Sequence, residues 1–437
     1  MKKTLLSALA IGIALGVTAA PEKVLELQLA DQNGLVSAAT KLGEYAGNAS
    51  LGAMAVVGLA NAPSEVTNCC GKSQLSLYID AEGKAQLEDV IKTVDQKYEA
   101  APALASGRVL RVNFTKKGVD LLARAVEEAA KEAAKKDKDL ERKDIACAVD
   151  LLKSLGEMTL TLGVTDGGLD IEVSVLPVPG TELAKVGDKS LSGDALAFAG
   201  KGALYALAYA ADCGTGSSLE QYAKLKALLD KIGIKTGGFI KKETVGVASK
   251  FTLDIPALVS YAQGEGKAVL EKLVADEAAQ KDLVSDLSDI GAKQFKAAGP
   301  EMSAAFYVNG VTTAATASQR FAKAMPEAAG KKSFSVGVFS FYGIVKGVAE
   351  QVVNLPCCGN AECSTVKGML QTMPSDADAA IAGIGWKEGG KLYSLIRFTP
   401  AEIKGLYTVG TTLAMMGIGD SSRMDIELED DDDDDED

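Results

Sequence analysis

The chain has 437 residues, 47% of them apolar, which is enough to build cores of domain size and too much for a disordered polar chain. It contains no histidine, which excludes Ser-His-Asp and Cys-His nucleophile systems, imidazole proton relays and His-ligated metal centres. The net charge of -13 is concentrated at one end: residues 425–437 hold eleven acids and no base, and the near-neutral remainder offers no basic footprint for nucleic acid.

The first predicted element is a signal peptide of bacterial type over residues 1–19. Lys2 and Lys3 form the basic start, Leu5 to Val17 the apolar stretch, and Val17, Thr18 and Ala19 the small residues at a cleavage site. Beyond it no apolar run reaches the length of a membrane-spanning helix, so the mature chain is expected not to cross a membrane and to be periplasmic or extracellular.

A strand is predicted over Val24 to Leu29, and Asn33-Gly34 then leads a helix. This segment opens an internal repeat, because residues 33–40 match residues 309–316 at five of eight positions. Three further landmarks follow in the same order. Ser50-Leu-Gly52 with Gly58 matches Ser335-Val-Gly337 with Gly343, Cys69-Cys70-Gly71 matches Cys357-Cys358-Gly359, and Phe114-Thr115 matches Phe398-Thr399. A degenerate middle copy starts near Ala195 and ends at Phe251-Thr252. Each full copy reads as a strand, a helix, a second apolar strand, a cysteine loop, a helix, and a Phe-Thr strand running into another helix.

Period-two alternation predicts strands over Arg108 to Phe114, Met158 to Val164, Leu169 to Val175 and Leu392 to Phe398. Asp166-Gly167-Gly168 and Glu388-Gly389-Gly390 read as hairpin turns. Residues 119–143 form an Ala-rich helix with Glu127–Lys131 and Glu132–Lys136 pairs, and Ile145 to Leu155 continue as an apolar helical stretch. Residues 268–290 carry Val269, Leu270, Leu273, Val274, Leu283, Leu287 and Ile290 at helical spacing, which marks a core-facing stripe. Ser335 to Val345 reads as strand-like, and Leu406 to Ile418 as buried core.

No segment carries a complete catalytic motif. Ser364-Thr-Val-Lys367 and Lys235-Thr-Gly237 have the form of short motifs found in penicillin-binding proteins, but they stand in the reverse order, so acyl-enzyme chemistry is not expected. The glycine-rich Gly214-Thr-Gly216 lacks a phosphate-binding lysine and reads as a loop. Seven cysteines in an exported chain point to disulfides, with Cys69, Cys70, Cys213, Cys357, Cys358 and Cys363 as candidates and Cys147 left as a helical thiol. Cys-x-x-Cys spacing is absent, so no metal site is assigned.

These readings combine into an α+β fold of antiparallel sheets faced by helices, built from two clear internal repeats and one degenerate repeat. The segments are 1–19 (signal peptide), 20–185 (first repeat with its long helix and hairpin), 186–300 (middle repeat), 301–420 (last repeat) and 421–437 (acidic tail). With no catalytic, cofactor or metal set, the expected function is an exported non-catalytic binding or envelope-associated structural protein of unknown ligand. The alternatives are an exported carboxylate-dependent hydrolase and a carrier of apolar ligands.

Overall fold

The computed structural model describes residues 22–60, 74–79, 97–99, 104–136, 143–210, 218–291, 302–355, 361–374 and 377–415. The signal peptide, the acidic tail, the Gly214 loop and Cys69, Cys70, Cys213, Cys357 and Cys358 lie outside those residues.

The strands in chain order are β1 (Glu22–Leu29), β2 (Gln74–Ile79), β3 (Lys97–Glu99), β4 (Arg108–Phe114), β5 (Leu155–Thr165), β6 (Gly168–Pro177), β7 (Tyr205–Tyr209), β8 (Ile240–Val245), β9 (Ala248–Leu253), β10 (Met302–Val308), β11 (Ser333–Phe339), β12 (Ile381–Glu388) and β13 (Lys391–Phe398). The α-helices are α1 (Gln32–Tyr45), α2 (Ala49–Ala60), α3 (Lys116–Lys136), α4 (Lys143–Lys153), α5 (Ser218–Lys231), α6 (Ile255–Tyr261), α7 (Lys267–Val274), α8 (Glu277–Gly291), α9 (Ala317–Ala324), α10 (Phe341–Val352), α11 (Ala361–Thr372) and α12 (Pro400–Met415).

The described strands form one sheet in the order β3-β2-β1-β4-β5-β6-β13-β12-β11-β7-β10-β9-β8. Every described pair is antiparallel except β9 with β10. That parallel pair of neighbours needs a crossover from the carboxyl end of β9 back to the amino end of β10, and α6, α7 and α8 lie in it. The mixed α and β composition and the largely antiparallel sheet agree with the sequence reading.

The sheet is packed on both faces where β7, β10, β11 and β12 run. Side chains alternate along a strand, so Val336, Val338, Ala206, Ala208, Ala305, Ala382 and Ile384 share one face. Leu196, Ala199, Met325 and helix α9 cover that face. Phe306 and Val308 point the other way and pack with Ile255 and Val259 of α6 and Ile344, Val348 and Val352 of α10. A further cluster joins the two halves of the sheet: Val119 of α3 packs with Phe114, Met158, Val175 and Leu392.

Helix α9 is fixed at its start by a capping box. The Thr316 hydroxyl accepts from the Gln319 N–H, and the Gln319 side chain accepts from the Thr316 N–H. Thr316→Ala is expected to cost about 1 kcal/mol in urea unfolding.

One repeat landmark shares its local form in both copies, although β4 and β13 run in opposite directions in the sheet. Thr115 and Thr399 each end a strand and cap the helix that follows, accepting from the Gly118 and Glu402 N–H groups. Two others do not. Ser50 to Gly52 lie in helix α2, whereas Ser335 to Gly337 lie in strand β11. Residues 49–60 are rich in Ala, Leu and Met and show no alternation, while 333–339 alternate Phe and Val with small residues. Asn33 sits in the first turn of α1 behind the Asp31 cap, whereas Asn309-Gly310 forms a turn with Gly310 at φ +78° and its helix starts only at Ala317.

A second correspondence appears in the element order. Strand β4, helices α3 and α4 and the hairpin β5–β6 run in the same sequence as β11, α10, α11 and the hairpin β12–β13, and the last strands of the two runs pair with each other.

Three further expectations are corrected. The Ser335 to Val345 stretch is a strand only to Phe339, because the Ser340 hydroxyl accepts from the Gly343 N–H and starts α10. The 119–143 helix begins earlier, at Lys116, and is described only to Lys136, with the Glu127–Lys131 pair at 3.2 Å. The 268–290 stripe is only partly covered: Val269, Leu273, Leu283 and Ile290 are half-buried, but α7 has no buried residue, Leu270 is 54% and Val274 74% exposed, and Leu287 is exposed as well. Helical spacing shows which residues share a face but not what lies opposite, and α8 meets α5 and α4.

Candidate functional site

The pairing directions place the carboxyl ends of β1, β5, β13, β11, β10 and β9 along one edge of the sheet. Four of these ends turn into helices through a polar cap: Asp31 before α1, Asp254 before α6, Ser340 before α10 and Thr399 before α12. Strand β5 instead turns back at Asp166-Gly167.

A cavity of about 670 Å³ opens on this edge between that turn, helix α9 and the start of α12. Its wall includes Asp166, Gln319, Arg320, Lys323, Asp378, Arg397 and Thr399, with small apolar residues such as Ala315, Ala377 and Ala401 between them. A volume of this size suits a small-molecule ligand.

The floor is a buried charge network. Arg397 is 7% and Asp170 only 1% exposed, and they form a two-pronged pair with Nε–Oδ1 at 2.6 Å and Nη2–Oδ2 at 2.9 Å. The Arg397 Nη1 reaches Glu327 at 2.8 Å and donates to the Ala324 carbonyl, which joins β13 to α9 and the turn after it. The hydrogen bond from Asp170 pushes the Arg397 guanidinium pKa further above its ordinary value, against the opposing effect of burial. Arg108 adds a second cation, 3.7 Å from Asp170 and 2.8 Å from Glu172. Gly167 belongs to this arrangement, because a Cβ there would meet the Arg397 guanidinium at 2.8 Å.

The remaining charged groups of the wall are also paired. Lys323 meets Asp378 at 2.6 Å, and Asp166 meets Lys41 of α1 at 2.6 Å. The hydrogen bond from Lys41 lowers the Asp166 pKa, and the same bond raises that of Lys41. The Tyr45 hydroxyl donates to the Thr165 carbonyl, so α1 holds the hairpin tip at two points. Arg320 is buried and donates to the Ala203 carbonyl, tying α9 to the chain entering β7.

Glu402 lies behind the wall in the first turn of α12 and is fully buried. It accepts from the Tyr342 N–H at 2.8 Å and the Ser340 hydroxyl at 3.0 Å, so one carboxylate joins the starts of α10 and α12. Burial raises its pKa, opposed mainly by the backbone donors.

Apart from Asp166 and Gly167, which the sequence places in a hairpin turn, the residues that form this network were not singled out in the sequence, and those singled out for chemistry do not form a site. Cys363 falls in α11, but its side chain lies outside the described residues, and Cys147 in α4 is half-buried with no disulfide. Ser364 and Lys367 are on the exposed surface of α11, and Lys235-Thr236-Gly237 runs into a short 3-10 turn rather than a strand. Among the described residues no group of three or more Cys, Asp or Glu could hold a metal ion, and no helix is long and apolar enough to cross a membrane. Comparison with protein-family models, with curated proteins and with solved structures returned no match.

Proposed function

We propose that the chain is an exported, non-catalytic binding or envelope-associated protein whose ligand occupies the cavity at the strand ends. One observation carries this reading. Each carboxylate in the cavity wall is held by a lysine, Asp166 by Lys41 and Asp378 by Lys323, and the arginine on the floor is held by Asp170. A hydrolase that works through two carboxylates needs one of them to keep a proton near neutral pH, at a position that faces the substrate. The carboxylate whose pKa is raised here is Glu402, which is fully buried and already accepts bonds from two helix starts.

Fixed charges of both signs in a wall of small apolar residues favour a small solute that itself carries both signs, such as an amino acid or short peptide. Export rests on the basic and apolar opening of the sequence. The run of strand, two helices and hairpin over residues 108–177 and 333–398 favours an internal duplication in a register that sets β4 against β11, not against β13 as the sequence landmarks do, and the cavity lies beside the seam where β6 meets β13.

The test is a thermal-shift screen of free amino acids and dipeptides on protein recovered from the exported fraction of an expressing bacterium. That protein should begin at Ala20. A zwitterion that binds should raise the melting temperature, by about 2.7 kcal/mol of stabilisation at a hundredfold excess over Kd. Lys323→Ala should reduce the shift. Hydrolysis of aryl glycosides or esters that is lost in Asp378→Asn would instead favour the carboxylate enzyme.

A further inference from the structure

We propose that a second cavity, on the opposite side of helix α9, binds a single-chain amphiphile with an anionic head. Helix α9 turns Arg320 and Lys323 toward the charged cavity and Phe321 toward this one, which Met325 just beyond the helix also lines. The second cavity measures about 440 Å³. Its floor is the main core itself, with Leu196, Met325, Val336 and Ile384 all buried beneath it.

The mouth has a different chemistry. Lys331 and Lys332 line it, both exposed, and among the described residues neither ammonium meets a carboxylate. Neighbouring lysines are paired instead, Lys323 with Asp378 and Lys387 with Asp188. The Lys331 ammonium stands 4.1 Å above the centre of the Trp386 ring, which fixes a cation at the rim. Asp194, the carboxylate at the mouth, accepts from the Ser318 hydroxyl and the Leu196 N–H. An apolar floor under two unpaired cations complements an alkyl chain that ends in a carboxylate.

The inference does not rest on the proposed solute site, and its probe can be chosen so that the two are read separately. Trp386 is the single tryptophan of the chain, so its emission reports on this rim alone. Titration with monomeric sodium dodecanoate is expected to change Trp386 emission and to show one site by calorimetry. Dodecyltrimethylammonium should bind at least tenfold more weakly. Lys332→Glu should weaken dodecanoate binding at least tenfold, and Ala322→Phe, an exposed position on the cavity wall, should abolish it. Lys323→Ala, in the other cavity, should leave it unchanged. Equal binding of the cationic probe, an unaltered titration in Ala322→Phe, or no response of wild-type protein to dodecanoate would each overturn the proposal.

Discussion

Replacing Asp170 by alanine is expected to destabilise the protein by about 3–5 kcal/mol, the cost of leaving a buried charge without its partner. The reason lies in how Arg397 is housed. Its Nε and Nη2 both go to Asp170, and the guanidinium is 7% exposed, so water cannot take over the lost bonds. Glu327 remains as a partner for Nη1 only, and Arg108 loses its second carboxylate while keeping Glu172. Because the pair joins β6 to β13, the loss falls on the seam between the two halves of the sheet. Urea unfolding of Asp170→Ala, Asp170→Leu, Arg397→Leu and the double variant Asp170→Leu/Arg397→Leu gives the check. The double variant should recover most of the stability, since replacing both charges with apolar groups removes the desolvation cost along with the attraction. Additive losses in the double variant would show that the two side chains are not coupled.

The parts of the fold that were legible in the sequence are those fixed by near neighbours. Alternation in residues 155–165 and 168–177 is a property of the chain itself, and Gly168 at φ +133° and Gly390 at φ +80° occupy turns that the Gly-Gly pairs announced. The Phe-Thr steps at 114–115 and 398–399 likewise marked strand ends, because threonine can cap the helix that follows.

What depended on distant partners was not legible. The residues Leu169-Asp-Ile-Glu-Val-Ser-Val put Asp170, Glu172 and Ser174 on one face, and nothing local separates a solvated polar face from one crossed by an arginine 227 positions away. The 268–290 stripe is half-covered for the same reason: its spacing is helical, but its opposing surface is not encoded in it. The Ser50 and Ser335 match failed because shared Ser and Gly positions do not outweigh the surrounding residues, rich in Ala, Leu and Met in one copy and alternating in the other.

Glu402 carries the other large expected effect, and its pH dependence sets it apart from a simple packing residue. Glu402→Ala leaves the Tyr342 N–H and the Ser340 hydroxyl without their acceptor in a buried site, which at ~1–3 kcal/mol for each donor is roughly 2–6 kcal/mol. Glu402→Gln keeps an oxygen for the Tyr342 N–H and should cost far less. The Gln variant also removes the titration. Burial raises the Glu402 pKa in the folded protein, so over the range just above the ordinary glutamate value the folded state holds a proton that the unfolded chain has released. Its contribution to stability is therefore fully present below the unfolded pKa and is lost as pH rises through the folded one. Wild-type protein should gain stability relative to Glu402→Gln as the pH is lowered from neutral, with a slope of up to about 1.4 kcal/mol per pH unit. Thermal or urea unfolding of the two proteins across pH 4–8 measures this difference, in which the titrations of the other acids cancel. A difference that stays flat over that range would mean that the backbone donors of α10 and the nearby Arg320 charge offset the burial, leaving Glu402 ionised as it joins the two helices.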